Sequence, residues 1–173
     1  MIQLKNPRQL TSKKILDEKT LIKKLNFLRK EGLKIGLCVG GYDLLHAGHI
    51  LHLKSAKNLC DVLIVGITSD KFTEERKGRG RPIYSEQLRI FSVSQLESVD
   101  FVVVSPYKKA VELIKSLKPD YYIKGPDYEK KSTPGITAER EAIKKVGGSM
   151  KYTQDEKLST SKIIEYIKNL DQK

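Results

Sequence analysis

Ten consecutive residues hold the side chains best suited to chemistry: Gly40-Gly41-Tyr42-Asp43-Leu44-Leu45-His46-Ala47-Gly48-His49. Two glycines in a row let backbone N–H groups come close to an anionic ligand. Gly48 allows tight packing where a helix begins, and the first turn of that helix is itself an anion site. His46 and His49 fall at that end, where imidazole N–H groups can donate to phosphate oxygens. All three histidines, with His52, lie within seven residues. Positions three apart share a helix face, so a metal site is the competing reading. Asp43 is the only carboxylate nearby and two glycines suit phosphate better, so no metal ligand is assigned. His52 is assigned to packing or to supporting the other two.

These residues need an element to aim them. Residues 34–39 form a short apolar run bounded by glycines, which predicts a buried strand ending at Val39; residues 48–59 have helical character. The alternation continues, with strands over 61–67, 100–104 and 120–123 and a further one over 149–153. Helices are expected from Pro82 and Ser85 to about Glu97, over 107–117, over about ten residues up to Gly147-Gly148, and from Ser159 to Leu170 with Ser159 as cap. A charged loop over 70–81 and a polar loop over 124–135 separate them. Strands alternating with helices imply an α/β, Rossmann-like single domain with a parallel five-stranded sheet flanked by helices. Uninterrupted apolar strands agree with burial on both faces. The expected division is an N-terminal helical arm over 1–33, ended by Gly32, and a main domain over 34–173.

In such a sheet, ligands bind at the carboxyl ends of the strands. That edge collects Gly40, Gly41, Tyr42 and Asp43 after the first strand, and Thr68 and Asp70 after the second. Next along the chain is the basic stretch Arg76-Lys77-Gly78-Arg79-Gly80-Arg81-Pro82. Ser159-Thr160-Ser161 opens the last helix, where hydroxyls and free N–H groups suit a β- or γ-phosphate as well as ordinary capping.

The net charge of +12 raises nucleic acid as a partner. Its placement argues otherwise. Residues 1–30 hold nine Lys/Arg against two Asp/Glu, interleaved with Leu21, Ile22, Leu25 and Leu28 at helical spacing. That is the solvated face of an amphipathic helix. No apolar run reaches the ~18 residues of a membrane span. The start, Met1 to Asn6, lacks a signal peptide's apolar core. Cys38 and Cys60 sit in apolar surroundings and are read as buried thiols, so the expected setting is cytoplasmic, with no nucleic acid and no membrane partner.

The Gly-x-Tyr-Asp-x-x-His-x-Gly-His stretch resembles the signature of the nucleotidyltransferase superfamily. That group includes cytidylyltransferases, phosphopantetheine and FAD adenylyltransferases, and the adenylyltransferase that makes ADP-heptose. The Ser159-Thr160-Ser161 helix start is similar to its second signature. The resemblance implies transfer of a nucleoside monophosphate from a triphosphate, ATP or CTP, to a phosphorylated acceptor, with Mg²⁺ on the triphosphate and pyrophosphate released. It assigns His46, His49 and Lys77 to catalysis. To nucleotide binding it assigns Gly40, Gly41, Tyr42, Asp43, Gly48, Thr68, Asp70, Arg81, Lys124, Gly125, Asp127, Ser159, Thr160 and Ser161. It also implies a homodimer.

Over about residues 15–168 the chain is most similar to the nucleotidyltransferase domain of ADP-heptose synthases. The likeness lies in Lys77-Gly78-x-x-Arg81-Pro82, Glu86-Gln87-x-Arg89, Lys124-Gly125-x-Asp127-Tyr128 and Gly147-Gly148. The acceptor this implies is a sugar phosphate such as a heptose 1-phosphate. The alternative is a cytidylyltransferase acting on a glycerol or polyol phosphate. Those enzymes place Arg and Gly where Gln154 and Lys157 stand, and Lys at the position of Leu51. Cys38-Val39, Pro126 and residues 132–139 depart from the heptose pattern, and no sugar kinase domain of the kind often fused to it is expected here. A nucleotide-binding regulator without turnover and a salt-sensitive nucleic-acid binder are the rivals from other classes. Pyrophosphate release separates the first, and binding to random DNA or RNA the second.

Overall fold

The computed structural model describes residues 1–4, 10–156 and 158–170. Lys157, set against a family glycine above, lies outside them, as do Lys5 and Asn6 of the N-terminal reading. Five strands form one sheet: β1 (Ile35–Gly40), β2 (Val62–Thr68), β3 (Phe101–Ser105), β4 (Tyr121–Lys124) and β5 (Ser149–Tyr152). All are parallel, in the order β3-β2-β1-β4-β5. The order reverses direction between β1 and β4, and a crevice opens outside the carboxyl ends of strands at such a point.

Side-chain alternation distributes each apolar strand between two cores. On β2, Val62 and Ile64 join a cluster with Leu21, Leu25, Leu113, Ile114 and Ile143. Leu63, Val65 and Ile67 face the other way, onto Leu53, Ala56, Ile90 and Val93. The first face is covered by α1 (Glu18–Lys30), α5 (Ala110–Leu117) and α6 (Pro134–Lys145), the second by α2 (Ala47–Lys57) and α4 (Glu86–Ser94). Burial on both faces is why the strands read as continuous apolar runs.

The N-terminal segment, expected as an arm, is built into this frame. Leu21 and Leu25 are fully buried in the first core. Asp17 caps α1 by accepting from the Thr20 N–H at 2.9 Å. Ile15 forms a parallel bridge to Val102, and Ile2 one to Tyr84.

The largest departure from expectation lies at 70–81, where the structure has a helix, α3 (Asp70–Lys77), instead of a loop. Ser69 stands at its cap position, Asp70 in the first turn and Arg76-Lys77 in the last, which suits the helix dipole at both ends. Gly78, at φ 88°, ends it in a backbone conformation that side chains disfavour. Only Thr73 is buried, so no apolar stripe announces the helix. The helix expected up to Glu97 stops at Ser94, and a short 3-10 turn (Pro126–Tyr128) breaks the 124–135 loop. The last helix, α7 (Thr160–Leu170), begins one residue after Ser159.

Candidate active site

The loop leaving β1 is held in an unusual path. Tyr42 and Leu44 have φ of 48° and 51°, the left-handed region that non-glycine residues rarely enter. Three groups hold them there. The Asp43 side chain is fully buried, accepts from Arg81 Nε at 2.9 Å and forms an ion pair with Arg81 Nη2 at 2.7 Å. It also accepts from the N–H groups of Ile83 at 2.9 Å and Tyr84 at 3.0 Å. The Thr160 hydroxyl donates to the Asp43 carbonyl at 2.9 Å, tying the start of α7 to the loop. Arg89, with no exposure, donates from Nη1 to the Gly41 carbonyl at 2.5 Å, from Nε to Tyr84 O at 3.1 Å and from Nη2 to Asp70 Oδ1 at 2.8 Å. Burial alone would raise the Asp43 carboxyl, but the Tyr84 and Ile83 N–H groups and Arg81 outweigh it and hold it below its ordinary value.

His46 occupies the cap position of α2 and His49 the first turn. Their rings stack with centroids 3.8 Å apart and planes at 21°. Tyr42 leans on His49 at 5.2 Å. Among the described residues, both ring nitrogens of His46 and Nδ1 of His49 are buried without a hydrogen-bond partner. Burial, then Lys77, pushes His46 below its ordinary pKa. Burial, then the charges of His46, Lys77 and His52, brings His49 to about 3. Both imidazoles are therefore neutral at physiological pH, and each keeps at least one buried ring nitrogen without a hydrogen-bond partner among the described residues.

Two connected hollows open at this edge. One, of about 430 Å³, is bounded by His46, His49, Lys77, Lys124 and the Ser159-Thr160-Ser161 start of α7, with Gly40 and Gly41 behind. The starts of α2 and α7 both face it, so two sets of free N–H groups converge there. The other, of about 240 Å³, is lined by Tyr42, Gly48, His52, Lys124, Gly125 and Asp127, among others. The Gly48 hydrogen allows this closeness: a Cβ there would stand 2.7 Å from Leu158 Cβ and 3.2 Å from the His46 ring. Lys77 sits exposed at the rim, the last residue of α3. Burial of its ammonium among neighbouring atoms, then Arg81 and Arg76, lowers its pKa.

The structure thus gathers His46, His49, Lys77, Gly40, Gly41, Tyr42, Gly48, Lys124, Gly125, Asp127, Ser159, Thr160 and Ser161 around one edge. Four expected binding residues stand apart. Asp43 and Arg81 are spent on each other beneath the loop. Asp70 pairs with Arg89. Thr68, largely buried, faces a third hollow on the opposite side of the sheet. Their separations along the chain leave no local trace of these pairings.

The edge also holds Ser55, Thr153, Asp155 and Glu139, to which the sequence assigns no role. His52, expected in packing or in support of the other two histidines, lines the 240 Å³ hollow and places Nδ1 2.9 Å from Thr153 Oγ1. Ser55 donates to Asp155 at 2.7 Å beside it. Lys124 pairs with Glu139 at 2.9 Å and lies 4.4 Å over the Tyr128 ring.

The family model described as cytidylyltransferase-like matches residues 37–166. The chain is 41% identical over 147 residues to the "Bifunctional protein HldE" of Campylobacter jejuni subsp. doylei, which is 84% of this chain and 30% of that one. It is 41% identical over 148 residues to the protein of the same name from Helicobacter pylori (strain HPAG1), 86% of this chain and 30% of that one. The chain therefore spans about 30% of the length of the curated relatives it matches. Among solved structures, the "lipopolysaccharide core biosynthesis protein from Thermoplasma volcanium GSS1" superposes with a TM-score of 0.62 at 26% identity. The match covers 73% of this chain and all of that one. The pantoate-beta-alanine ligase of Francisella tularensis shares the fold, with a TM-score of 0.59 at 20% identity over 83% of this chain and 67% of that one.

Proposed function

The chain belongs to the cytidylyltransferase-like family of nucleotidyltransferases, and from that premise we propose that it transfers AMP from Mg-ATP to a sugar phosphate such as a heptose 1-phosphate, releasing pyrophosphate. The observation that carries this reading is the 430 Å³ hollow. Two neutral imidazoles with unpartnered ring nitrogens, the starts of α2 and α7, and Lys77 and Lys124 converge there on a space free of carboxylates. Such a space fits a triphosphate. The similarity to HldE proteins supports the sugar phosphate as acceptor.

In the proposed reaction an oxygen of the acceptor phosphate attacks the α-phosphorus in line. The new O–P bond forms as the bond to the β-phosphate oxygen breaks, and pyrophosphate leaves. The acceptor is ionised at neutral pH, so no strong general base is needed and no covalent enzyme intermediate forms. His46 and His49 donate to the α-phosphate and the leaving group, Lys77 neutralises charge from the rim, and the N–H groups of Gly40, Gly41 and α7 orient the chain of phosphates.

Among the described residues, no group of three or more His, Cys, Asp or Glu side chains could hold a metal ion. In this proposal a Mg²⁺ brought in with the nucleotide would neutralise triphosphate charge. Leu51, 47% exposed on α2, lines neither hollow, so its identity does not bear on the choice between AMP and CMP, and the similarity to HldE proteins is what supports AMP. No helix of the described residues is long and apolar enough to cross a membrane. A cytoplasmic homodimer belongs to the same proposal.

The test is a matrix of the four nucleoside triphosphates against phosphorylated acceptors, read by pyrophosphate release. Release that requires ATP and a sugar phosphate is the expected result. Bound nucleotide with no release for any acceptor would leave a regulator instead.

A further inference from the structure

The two nucleotide hollows differ in charge. The 430 Å³ one has no carboxylate in its lining, whereas Asp127, Asp155 and Glu156 border the 240 Å³ one. Carboxylates repel phosphate, so a nucleotide whose phosphates fill the first extends its nucleoside into the second. Lys124 and Tyr128 line both and mark the boundary between them. The wall on the Tyr128 side is a turn with little packing to hold it. Pro126, Asp127 and Tyr128 include no buried residue, and residues 129–135 are exposed. Such a segment keeps its shape through hydrogen bonds rather than through a core.

One side chain from outside the turn ties it down. Arg140, on α6, donates from Nη1 to Lys131 O at 3.0 Å and from Nη2 to Glu129 O at 2.9 Å and Tyr128 O at 3.1 Å. Its Nε and Nη2 also reach the Tyr152 hydroxyl, at 3.2 and 3.1 Å, on the last residue of β5. A single planar guanidinium thus joins three carbonyls of the turn to the sheet. The preceding residue, Glu139, pairs with Lys124, which lies 4.4 Å over the Tyr128 ring. Lys131 lies 4.6 Å over the same ring and pairs with Asp127 at 3.1 Å. α6 therefore sets Lys124 through one residue and the turn facing it through the next. Arg140 itself lines none of the three hollows.

Resting on the nucleotidyltransfer reading above, we propose that Arg140 is a positioning residue for the nucleotide, holding the turn over residues 126–131 in the shape that receives the nucleoside. Without the guanidinium the turn samples other arrangements, and affinity falls with the fraction of time that the receiving shape is kept. The phosphates meet His46, His49 and the starts of α2 and α7, none of which Arg140 touches. Loss of Arg140 therefore falls on the nucleoside end of the ligand and spares the phosphate end.

The experiment compares the full parent chain with Arg140→Met, Arg140→Lys and Tyr152→Phe. Calorimetry with Mg²⁺ measures the Kd of ATP and of inorganic tripolyphosphate, which has no nucleoside. Pyrophosphate release with a saturating sugar phosphate gives kcat and the KM for ATP. Arg140→Met should weaken ATP by about 10-fold, as when the turn keeps its receiving shape about one-tenth of the time. Its Kd for tripolyphosphate should stay unchanged, and its kcat should stay within about twofold of the parent, because only ground-state binding is lost. Arg140→Lys keeps the stem and an ammonium donor, so it should restore part of the ATP affinity. Tyr152→Phe removes only the tether to β5 and should show a smaller loss of the same kind; it carries the test if Arg140→Met does not fold. Parental ATP affinity in every folded variant would overturn the positioning role. Equal losses for ATP and tripolyphosphate would overturn it as well, since they would mean a general loosening of the domain. A parent that binds ATP but releases no pyrophosphate with any acceptor would overturn the transferase reading alone, and the two affinities would still decide the role of Arg140.

Discussion

The Arg89 guanidinium reaches the Gly41 carbonyl at 2.5 Å from a position with no exposure, 48 residues away in sequence. A buried arginine is uncommon and is tolerated when its donors are paired. Here Nε and Nη2 are paired as well, to Tyr84 O and Asp70. One side chain thus fixes the loop after β1, the segment before α4 and the first turn of α3, the helix that carries Lys77. Arg89→Met should cost about 3 kcal/mol or more, because a buried carbonyl and a carboxylate lose their partner together. Urea denaturation measures it. A loss below about 0.5 kcal/mol, the scale of an ordinary surface change, would show that the network does not hold the loop.

His46 and His49 each keep a ring nitrogen without an internal partner, and their loss should fall on turnover rather than folding. His46→Ala and His49→Ala should each lower kcat by ~100-fold or more, the usual cost of one preorganised donor at a developing charge. Steady-state pyrophosphate release checks this. Activity within about twofold of the parent for either variant would remove that histidine from the mechanism.

Which parts of this site were legible in the sequence follows from how local each signal is. The strands declared themselves because burial on both faces leaves unbroken apolar runs such as Val62-Leu63-Ile64-Val65. The Gly40 to His49 loop was legible because its chemistry lies in ten adjacent residues. α3 was not, since Asp-Lys-Phe-Thr-Glu-Glu-Arg-Lys is charged around most of its circumference, and only Ser69-Asp70 and Gly78 mark its ends. Asp43 read as a ligand for the nucleotide because a carboxylate beside two glycines looks available. Its partner Arg81 is 38 residues away, and only the fold brings them together. The same holds for Lys124 and Glu139, whose pairing depends on α6 packing beside β4.

Gly48 offers a test that separates geometry from stability. Within a helix, alanine is favoured over glycine by about 1 kcal/mol, so Gly48→Ala gains intrinsically. Its Cβ, however, would stand 2.7 Å from Leu158 Cβ and 3.2 Å from His46 Cε1 and Nδ1. The His46 ring or the segment leading into α7 must move. We expect kcat/KM for ATP to fall by about 10- to 100-fold, since small displacements of a positioned donor cost that much. The thermal midpoint should change little. Parental kcat/KM would mean that His46 and α7 need not keep their observed spacing.

The histidines also give the protein a pH response whose sign is fixed. All three lie below their ordinary value of 6.5, each chiefly through burial, with His49 at about 3. Above pH 6.5 they are neutral in both the folded and the unfolded chain and contribute nothing to the balance. As pH falls below 6.5 the unfolded chain takes up protons that the folded site resists, so stability declines. For His49 the decline continues until about pH 3, where the folded imidazole also protonates. One such group contributes a slope of at most about 1.4 kcal/mol per pH unit. Asp43 acts in a different range, because its depressed carboxyl withdraws stability only as pH falls below 3.8. His49→Gln removes one of the three proton sites, and the carboxylates cancel when it is compared with the parent. Denaturation curves at about pH 7.5 and pH 5.5 should show a smaller loss for the variant than for the parent. Equal losses would mean that the imidazole meets water freely, contrary to its buried place between His46 and Tyr42.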